Sequence, residues 1–424
     1  MAVRKKPTRA RGAGRSVRVC RMAASVGVRD ARRRPKDRKQ QIARASAEAF
    51  SELGYHAVSM EDIASRVGVT AASLYRHYSG KYDLFRAAVL NLGEQLVSAT
   101  AFADDESGDS PEELWERIVA ALADAAIKTR ASGGLYRWEA RFLQESDQAI
   151  SNEQIRLVNR RLQRPLSALR PELDSRQRWT VTASVLSAIG SICDHRAKLP
   201  VNDMRRLLVS LARRLRDADL PPVSAREKPG RRAAPSVGPA GEYEAILAAA
   251  LRLFHEHGFR ETGMDDIASA IGLPASTIYR YFSGKSAVLS TIYRRAADRV
   301  SGDMGAILAM APDERTAVGQ LIDAYVWRTF AEPELAYVYY AEQLNVPAED
   351  RAALHNIQRS IVEGWARQVV AARPDLSVRE ARFAVHAGLG LVVDIGRLER
   401  FADTESSRRL IGRLLRVLLL PEHA

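Results

Sequence analysis

The sequence predicts an all-α protein built from two similar units in tandem. Three observations carry that prediction. First, the chain repeats itself. Residues 50–81 read FSELGYHAVSMEDIASRVGVTAASLYRHYSGK and residues 254–285 read FHEHGFRETGMDDIASAIGLPASTIYRYFSGK; at an offset of 204, 15 of these 32 positions are identical. Second, apolar residues recur every three or four positions, as at Ile42, Ala45, Ala49 and Leu53, and again at Ile246, Ala249, Leu253 and Phe254. That is the period of one helix face. Third, strand signals are nearly absent, whereas helix starts are explicit. Ser59 with Asp62 forms a capping-box pattern, and Ser110-Pro-Glu-Glu113 forms another.

The elements follow in order. Residues 1–36 form a basic arm expected to be disordered, with Met22 as a second candidate start. Residues 1–40 hold 15 Lys/Arg against Asp30 and Asp37, a net of +13, which equals the net charge of the whole 424-residue chain. Such an arm is attracted to polyanions by counterion release, and nucleic acid leads the candidates; a merely solvated leader is the alternative. A first head spans 37–81 and a first body 82–220. Residues 221–240 carry five of the 17 prolines and read as a linker, spanning at most ~66 Å extended or ~25 Å as a coil. A second head spans 241–285 and a second body 286–424. The duplication reaches into the bodies: Ala168-Leu-Arg-Pro-Glu-Leu173 is echoed by Ala371-Ala-Arg-Pro-Asp-Leu376.

Composition excludes several classes. With 46% hydrophobic and 27% charged residues the chain is globular and long enough for more than one core. Two cysteines, Cys20 and Cys193, make neither a disulfide framework nor a zinc site and suit a reducing cytoplasm. No apolar run approaches the ~20 residues that cross a bilayer. No Gly-rich phosphate loop, Ser-His-Asp set or paired catalytic carboxylates stand out, so neither an enzyme nor a bound cofactor or metal is expected.

Within each head the spacing predicts two short helices joined by a glycine turn, a helix-turn-helix. Ile63, Ala64 and Val67 face inward on the first. Gly68 makes the turn. A second helix over 71–78 is anchored by Leu74 and Tyr78. Ala72, Ser73, Tyr75, Arg76 and His77 are left on its open side. Two small residues followed by larger polar ones suit a helix that lies deep in a major groove. Ser59 at a helix start and Lys81 at the next are expected to grip phosphates. In the second copy the matching set is Ser276, Thr277, Tyr279, Arg280, Tyr281 and Lys285, with Gly263 in the place of Ser59.

The run Gly54-Tyr55, Asp62-Ile63-Ala64, Gly68-Val69, Ser73 to Lys81, and its second copy from Gly258-Phe259 to Lys285, resembles the DNA-binding signature of the TetR family of repressors. The tandem layout and Arg32–Lys39 are similar, more narrowly, to the actinobacterial double-TetR repressors of lipid-uptake operons. The resemblance implies two three-helix DNA-binding heads, each with a helical regulatory body holding a small lipophilic effector: an acyl chain, an acyl-CoA or a sterol-like molecule. It also implies that the last two helices of each unit, about 176–197 with 202–219 and 378–397 with 404–420, pair as a four-helix bundle. One chain would then be an internal pseudo-dimer on a double-stranded DNA operator, with a further dimer of chains left open. Tyr136, Trp138 and Phe142 are the effector-cavity candidates of the first body, and Tyr325, Trp327, Tyr337, Tyr339 and Tyr340 those of the second; core packing is the alternative for each. The acidic run Asp104, Asp105, Glu106 and Asp109 reads as a loop, His255 and His257 as solvated residues, and Asp394 as a buried polar pair or interface residue.

Overall fold

The computed structural model describes residues 35–105, 108–221 and 239–421. Most of the basic arm, with Cys20 and Met22, and most of the Pro-rich linker lie outside the described residues. Among those described there are helices and no strands.

In the first unit, α1 (Pro35–Leu53), α2 (Met60–Val67) and α3 (Ala71–Tyr75) form the head. They are followed by α4 (Lys81–Ala99), α5 (Pro111–Lys128), α6 (Gly133–Trp138), α7 (Glu145–Leu169), α8 (Ser175–Gly190) and α9 (Val201–Arg216). The second unit repeats the order: α10 (Glu242–Glu256), α11 (Met264–Ala270), α12 (Ala275–Tyr279), α13 (Lys285–Met310), α14 (Glu314–Ala331), α15 (Pro333–Ala341), α16 (Ala348–Ala372), α17 (Val378–Leu398) and α18 (Glu405–Leu419).

Each head closes around its own core. Ile42, Phe50, Ile63, Leu74, Leu84 and Phe85 are fully buried in the first, and Ile246, Phe254, Ile267, Ile278, Val288 and Leu289 in the second. Leu135 of α6 and Val338 of α15 enter these cores from the bodies, so each head is seated on its body by an apolar plug. The bodies differ from the heads in having one core between them. Trp115, Ile118, Val158 and Val185 belong to the same buried cluster as Trp365, Phe383, Leu391 and Leu415.

The seam between the units is α8 against α17, with α9 against α18 alongside. This is the expected four-helix arrangement with one change. α8 stops at Gly190 and tightens into a 3-10 turn, Ser191–Cys193. The chain bends there because Asp194 turns toward Arg137 and Trp138. A Cβ at Gly190 would meet the Arg137 guanidinium, so a larger residue there would have to push that side chain from its place. The Arg-Pro echo also has a use: Arg170 bonds the carbonyls of Arg216 and Ala218, and Arg373 that of Leu418, so matched arginines tie the long seventh helix of each unit to the end of its ninth.

Charges cross the seam where it is deepest. Arg137 Nη2 lies 3.0 Å from Asp194 and 2.9 Å from Asp394 of the second unit, whose carboxylate also accepts from Ser187 Oγ at 2.6 Å. Asp394 is thus the cross-unit polar partner the sequence suggested. Burial alone would disfavour the Arg137 charge, but the two carboxylates outweigh it and hold the guanidinium protonated. Removing one member would leave another buried and unpaired, a loss on the order of 3–5 kcal/mol.

His195 and His386 stack across the same seam with centroids 3.9 Å apart. His195 Nδ1 accepts from the Ala197 amide, and Arg130 lies beside it. Burial, aided by Arg130, lowers both imidazoles, His386 to about 4. A folded-state pKa below the unfolded value means that the unfolded chain takes up protons first as pH falls. Stability from this pair is therefore complete above about pH 6.5 and drains away toward pH 4. We expect thermal melts followed by circular dichroism to show a loss on the order of 1–3 kcal/mol over that window, reduced in His386→Gln. An unchanged slope in the variant would contradict this account.

Candidate nucleic-acid interface and body cavities

The helix-turn-helix forms as its sequence directs. Ser59 caps α2: its Oγ accepts the Asp62 amide, and the Asp62 carboxylate accepts the Ser59 N–H at 2.8 Å. In the second head Asp266 does the same for Gly263 at 2.7 Å. Gly68 and Gly272 take the left-handed conformation at φ 69° and 67° that the tight turn requires. α3 and α12 are shorter than the expected 71–78 and 275–282. Arg76 and Arg280 are C-caps, and the chain continues through tight turns in which His77 N bonds Leu74 O and Tyr281 N bonds Ile278 O.

Leu74 and Tyr78 are buried, as are Ile278 and Phe282, so the short helices are pinned on one side. On the other, Tyr75 is 55% and Tyr279 57% exposed, and Ala72, Arg76, His77, Ser276, Arg280 and Tyr281 are exposed with them. Ser73 is half-buried and Thr277 buried, which takes Thr277 off the open face.

The groups expected to grip phosphates also have partners within the protein. Lys285 Nζ donates to the carbonyls of Phe259, Arg260 and Thr262 at 2.8, 2.8 and 2.9 Å, and sits over the Phe259 ring. An ammonium has three protons, and all three are committed to the loop after α10. Lys81 likewise donates to His56 O at 2.9 Å and packs over Tyr55. Both lysines lock a head's first loop to the start of its fourth helix. The Ser59 amide is also occupied, by its own capping box.

The two heads differ in charge where they are alike in shape. Arg76 has no ion-pair partner among the described residues, whereas Arg280 lies 3.3 Å from Glu242 and Tyr281 Oη 3.1 Å from the same carboxylate. The residue matching Glu242 in the first unit is Arg38. Residues 37–81 hold six Lys/Arg against five Asp/Glu; residues 241–285 hold four against six.

Beneath the heads lie two unequal cavities. The first body encloses about 720 Å³, walled by Leu92, Leu96, Leu122, Ile155, Trp179 and Leu186, together with Tyr136 and Trp138. The second encloses about 120 Å³ among Tyr325, Tyr339 and Tyr340. Three expectations on the lining are corrected. Phe142, the last residue of the turn that leaves the cavity, packs on Tyr55 and His56 of the first head. Tyr337 belongs to the first cavity although it comes from the second unit. Trp327 is 61% exposed in an arginine-rich surface groove on the outer face of α14. His255 and His257 are exposed, Asp104 pairs with Arg161 and Asp109 with Arg117, and no metal-binding cluster occurs among the described residues. No helix there is long and apolar enough to cross a membrane.

Residues 42–88 and 246–292 each match the family model described as bacterial regulatory proteins, tetR family. The HTH-type transcriptional activator FasR of Mycolicibacterium smegmatis is 37% identical over 95 residues, covering 22% of this chain and 43% of that protein. The HTH-type transcriptional repressor KstR2 of Rhodococcus jostii is 27% identical over 143 residues, 34% of this chain and 70% of its own length. The first of these relatives is thus matched over less than half its length. A solved TetR-family regulator from Bordetella parapertussis aligns with 42% of this chain and 93% of its own at 22% identity and a TM-score of 0.39. The signature of the tetR family of bacterial regulatory proteins is thus present twice in this chain, once at each head.

Proposed function

We propose that this chain is a ligand-responsive, sequence-specific transcriptional regulator of the cytoplasm that represses by holding a DNA operator with two non-identical heads. The observation that carries the reading is the matched exposed set, Tyr75-Arg76-His77 and Tyr279-Arg280-Tyr281, raised on two scaffolds whose inner residues are buried alike. Exposed aromatics and arginines at corresponding places of a duplicated helix suit base edges and phosphates. Identical heads read palindromes because protein and DNA share a two-fold axis. These heads differ at Thr70/Pro274, Ala72/Ser276, Ser73/Thr277 and His77/Tyr281, so the preferred operator has unequal half-sites. A small lipophilic effector in a body favours a state in which the heads no longer fit successive grooves, and it shifts the balance only by its differential affinity for the two states. The relatives include a repressor and an activator, so a reporter in a deletion strain decides the sign: expression should rise.

A second reading, a ligand-sensing protein-interaction module whose second head is a scaffold that does not bind DNA, has one observation in its favour: the Glu242 carboxylate on Arg280. The variants separate the two. On an operator mapped by footprinting, Arg76→Ala and Arg280→Ala should each weaken binding about 10- to 100-fold, the range of ~1–3 kcal/mol for a lost base or phosphate contact. Loss in the first alone would favour the scaffold. In vitro selection should return unequal half-sites; perfect palindromes would contradict the two-head reading. Glu242→Gln should tighten binding several-fold at low salt, with the gain fading as salt screens the phosphates. An unchanged affinity would remove Glu242 from the interface.

A further inference from the structure

We infer that the chain senses through one cavity instead of two: the cavity of the first body, completed by the second unit, takes an amphipathic acid, and one short segment carries its occupancy to both heads. The inference deepens the ligand-responsive reading and rests on it.

The two bodies cannot hold equal ligands. Aligning the repeats on Glu139 and Glu342 places Tyr340 where the first unit has Arg137, and Tyr339 opposite Tyr136. In the second body Tyr339 and Tyr340 pack edge to face at 5.7 Å, and Tyr293 closes on Tyr339 at 5.0 Å. What remains is about 120 Å³, room for a few waters. The 720 Å³ of the first body falls in the range of sites for drug-sized ligands. Tyr337, Asp394, Arg397 and Leu398 from the second unit finish its wall, and Trp138 stacks on Tyr340 at 5.0 Å as part of the partition between the two cavities.

The lining specifies the ligand's chemistry. Most of the wall is aliphatic and aromatic, broken by Ser151, Asn159 and Ser187, and its apolar part suits an alkyl chain. Its two inner cations are both paired, Arg137 with Asp194 and Asp394 and Arg141 with Glu342. Arg397 is different. It stands exposed at the rim, and the faces of Trp138 and Tyr337, at 5.8 and 5.1 Å, hold its guanidinium in place of a carboxylate. A guanidinium positioned by aromatic faces keeps its N–H donors for an anion. Arg156 stands on the same rim. The occupant is therefore a chain with an acidic end: apolar body inside, acid at Arg397.

The segment that feels this ligand touches both heads. Tyr136, Arg137, Trp138, Ala140 and Arg141 line the cavity from α6 and the 3-10 turn Glu139–Phe142. From that turn Glu139 accepts the Tyr55 amide at 2.9 Å, at the first loop of the first head. Arg141 donates to Glu342 and to the Ala341 carbonyl, both at 2.8 Å. Glu342 in turn accepts the Phe259 amide at 3.3 Å, the matching loop of the second head. A ligand that shifts this turn pulls on both loops, directly on one and through Arg141 on the other. Arg141 is a positioning residue.

The test uses the full chain and three probes: palmitate, palmitoyl-CoA and hexadecanol. Native mass spectrometry should count one acid per chain. Titration followed by tryptophan fluorescence should show Arg397→Gln weakening palmitate or palmitoyl-CoA at least tenfold while leaving hexadecanol unchanged; the acid that binds more tightly identifies the source. Leu186→Trp, which fills the cavity, should abolish binding of all three with the melt retained. Arg141→Met paired with Glu342→Gln should keep acid affinity but relieve the ligand-induced loss of operator protection at the second half-site only. Two acids per chain, no acid bound, equal weakening of the alcohol, or joint release of both half-sites in the paired variant would each overturn the inference. Should one acid bind at Arg397 without altering operator affinity, the cavity site stands and the ligand-responsive reading fails. Should another compound release the operator while neither acid binds, the reverse holds.

Discussion

The constraint on which the rest of the structure depends is that the two bodies share a single hydrophobic core. α8 and α17 pack directly on each other, so residues from both units exclude water from one cluster. A shared core has no loose interface along which the units would slide without exposing apolar surface, at ~25 cal/mol per Å². The heads, by contrast, have separate cores and meet the bodies through plugs and a few directed hydrogen bonds. The molecule thus has a rigid middle and two ends held by fewer contacts, the distribution expected where motion of the ends matters.

Placing both units in one polypeptide releases them from symmetry. In a homodimer every change is made twice, so a cavity filled on one side is filled on both. Here the second body is packed with tyrosines while the first stays hollow, and Arg280 of one short helix has a carboxylate partner that Arg76 of the other lacks among the described residues. The Arg137–Asp394 contact has no counterpart across the pseudo-axis, because Tyr340 occupies the place of Arg137.

Buried charge does specific work in this frame. The carboxylates discussed are matched by directed donors: the half-buried Asp394 by Arg137 and Ser187, the buried Glu342 by Arg141 and the Phe259 amide, and the buried Glu139 by the Tyr55 amide. Such groups add little net stability compared with apolar packing, but they are intolerant of misalignment. They are suited to registering one unit against the other and each head against its turn.

The sequence by itself determined the class, the duplication and the heads. Those features are local: a glycine at a left-handed turn, a cap three residues from its partner, an apolar residue every third or fourth position, all of which act within one or two helices. Leu74, Tyr78, Gly68 and Asp62 were legible for that reason, whereas the pairing of the last helices was expected only from the resemblance to the TetR family. Tertiary structure alone decided which unit keeps a cavity, that Tyr337 serves the first unit and Trp327 neither, that Lys81 and Lys285 hold loops, and that Arg141 reaches Glu342. Each of these depends on contacts between residues tens to hundreds of positions apart. Composition and period describe a residue's own helix face; they do not say which distant helix will be pressed against it.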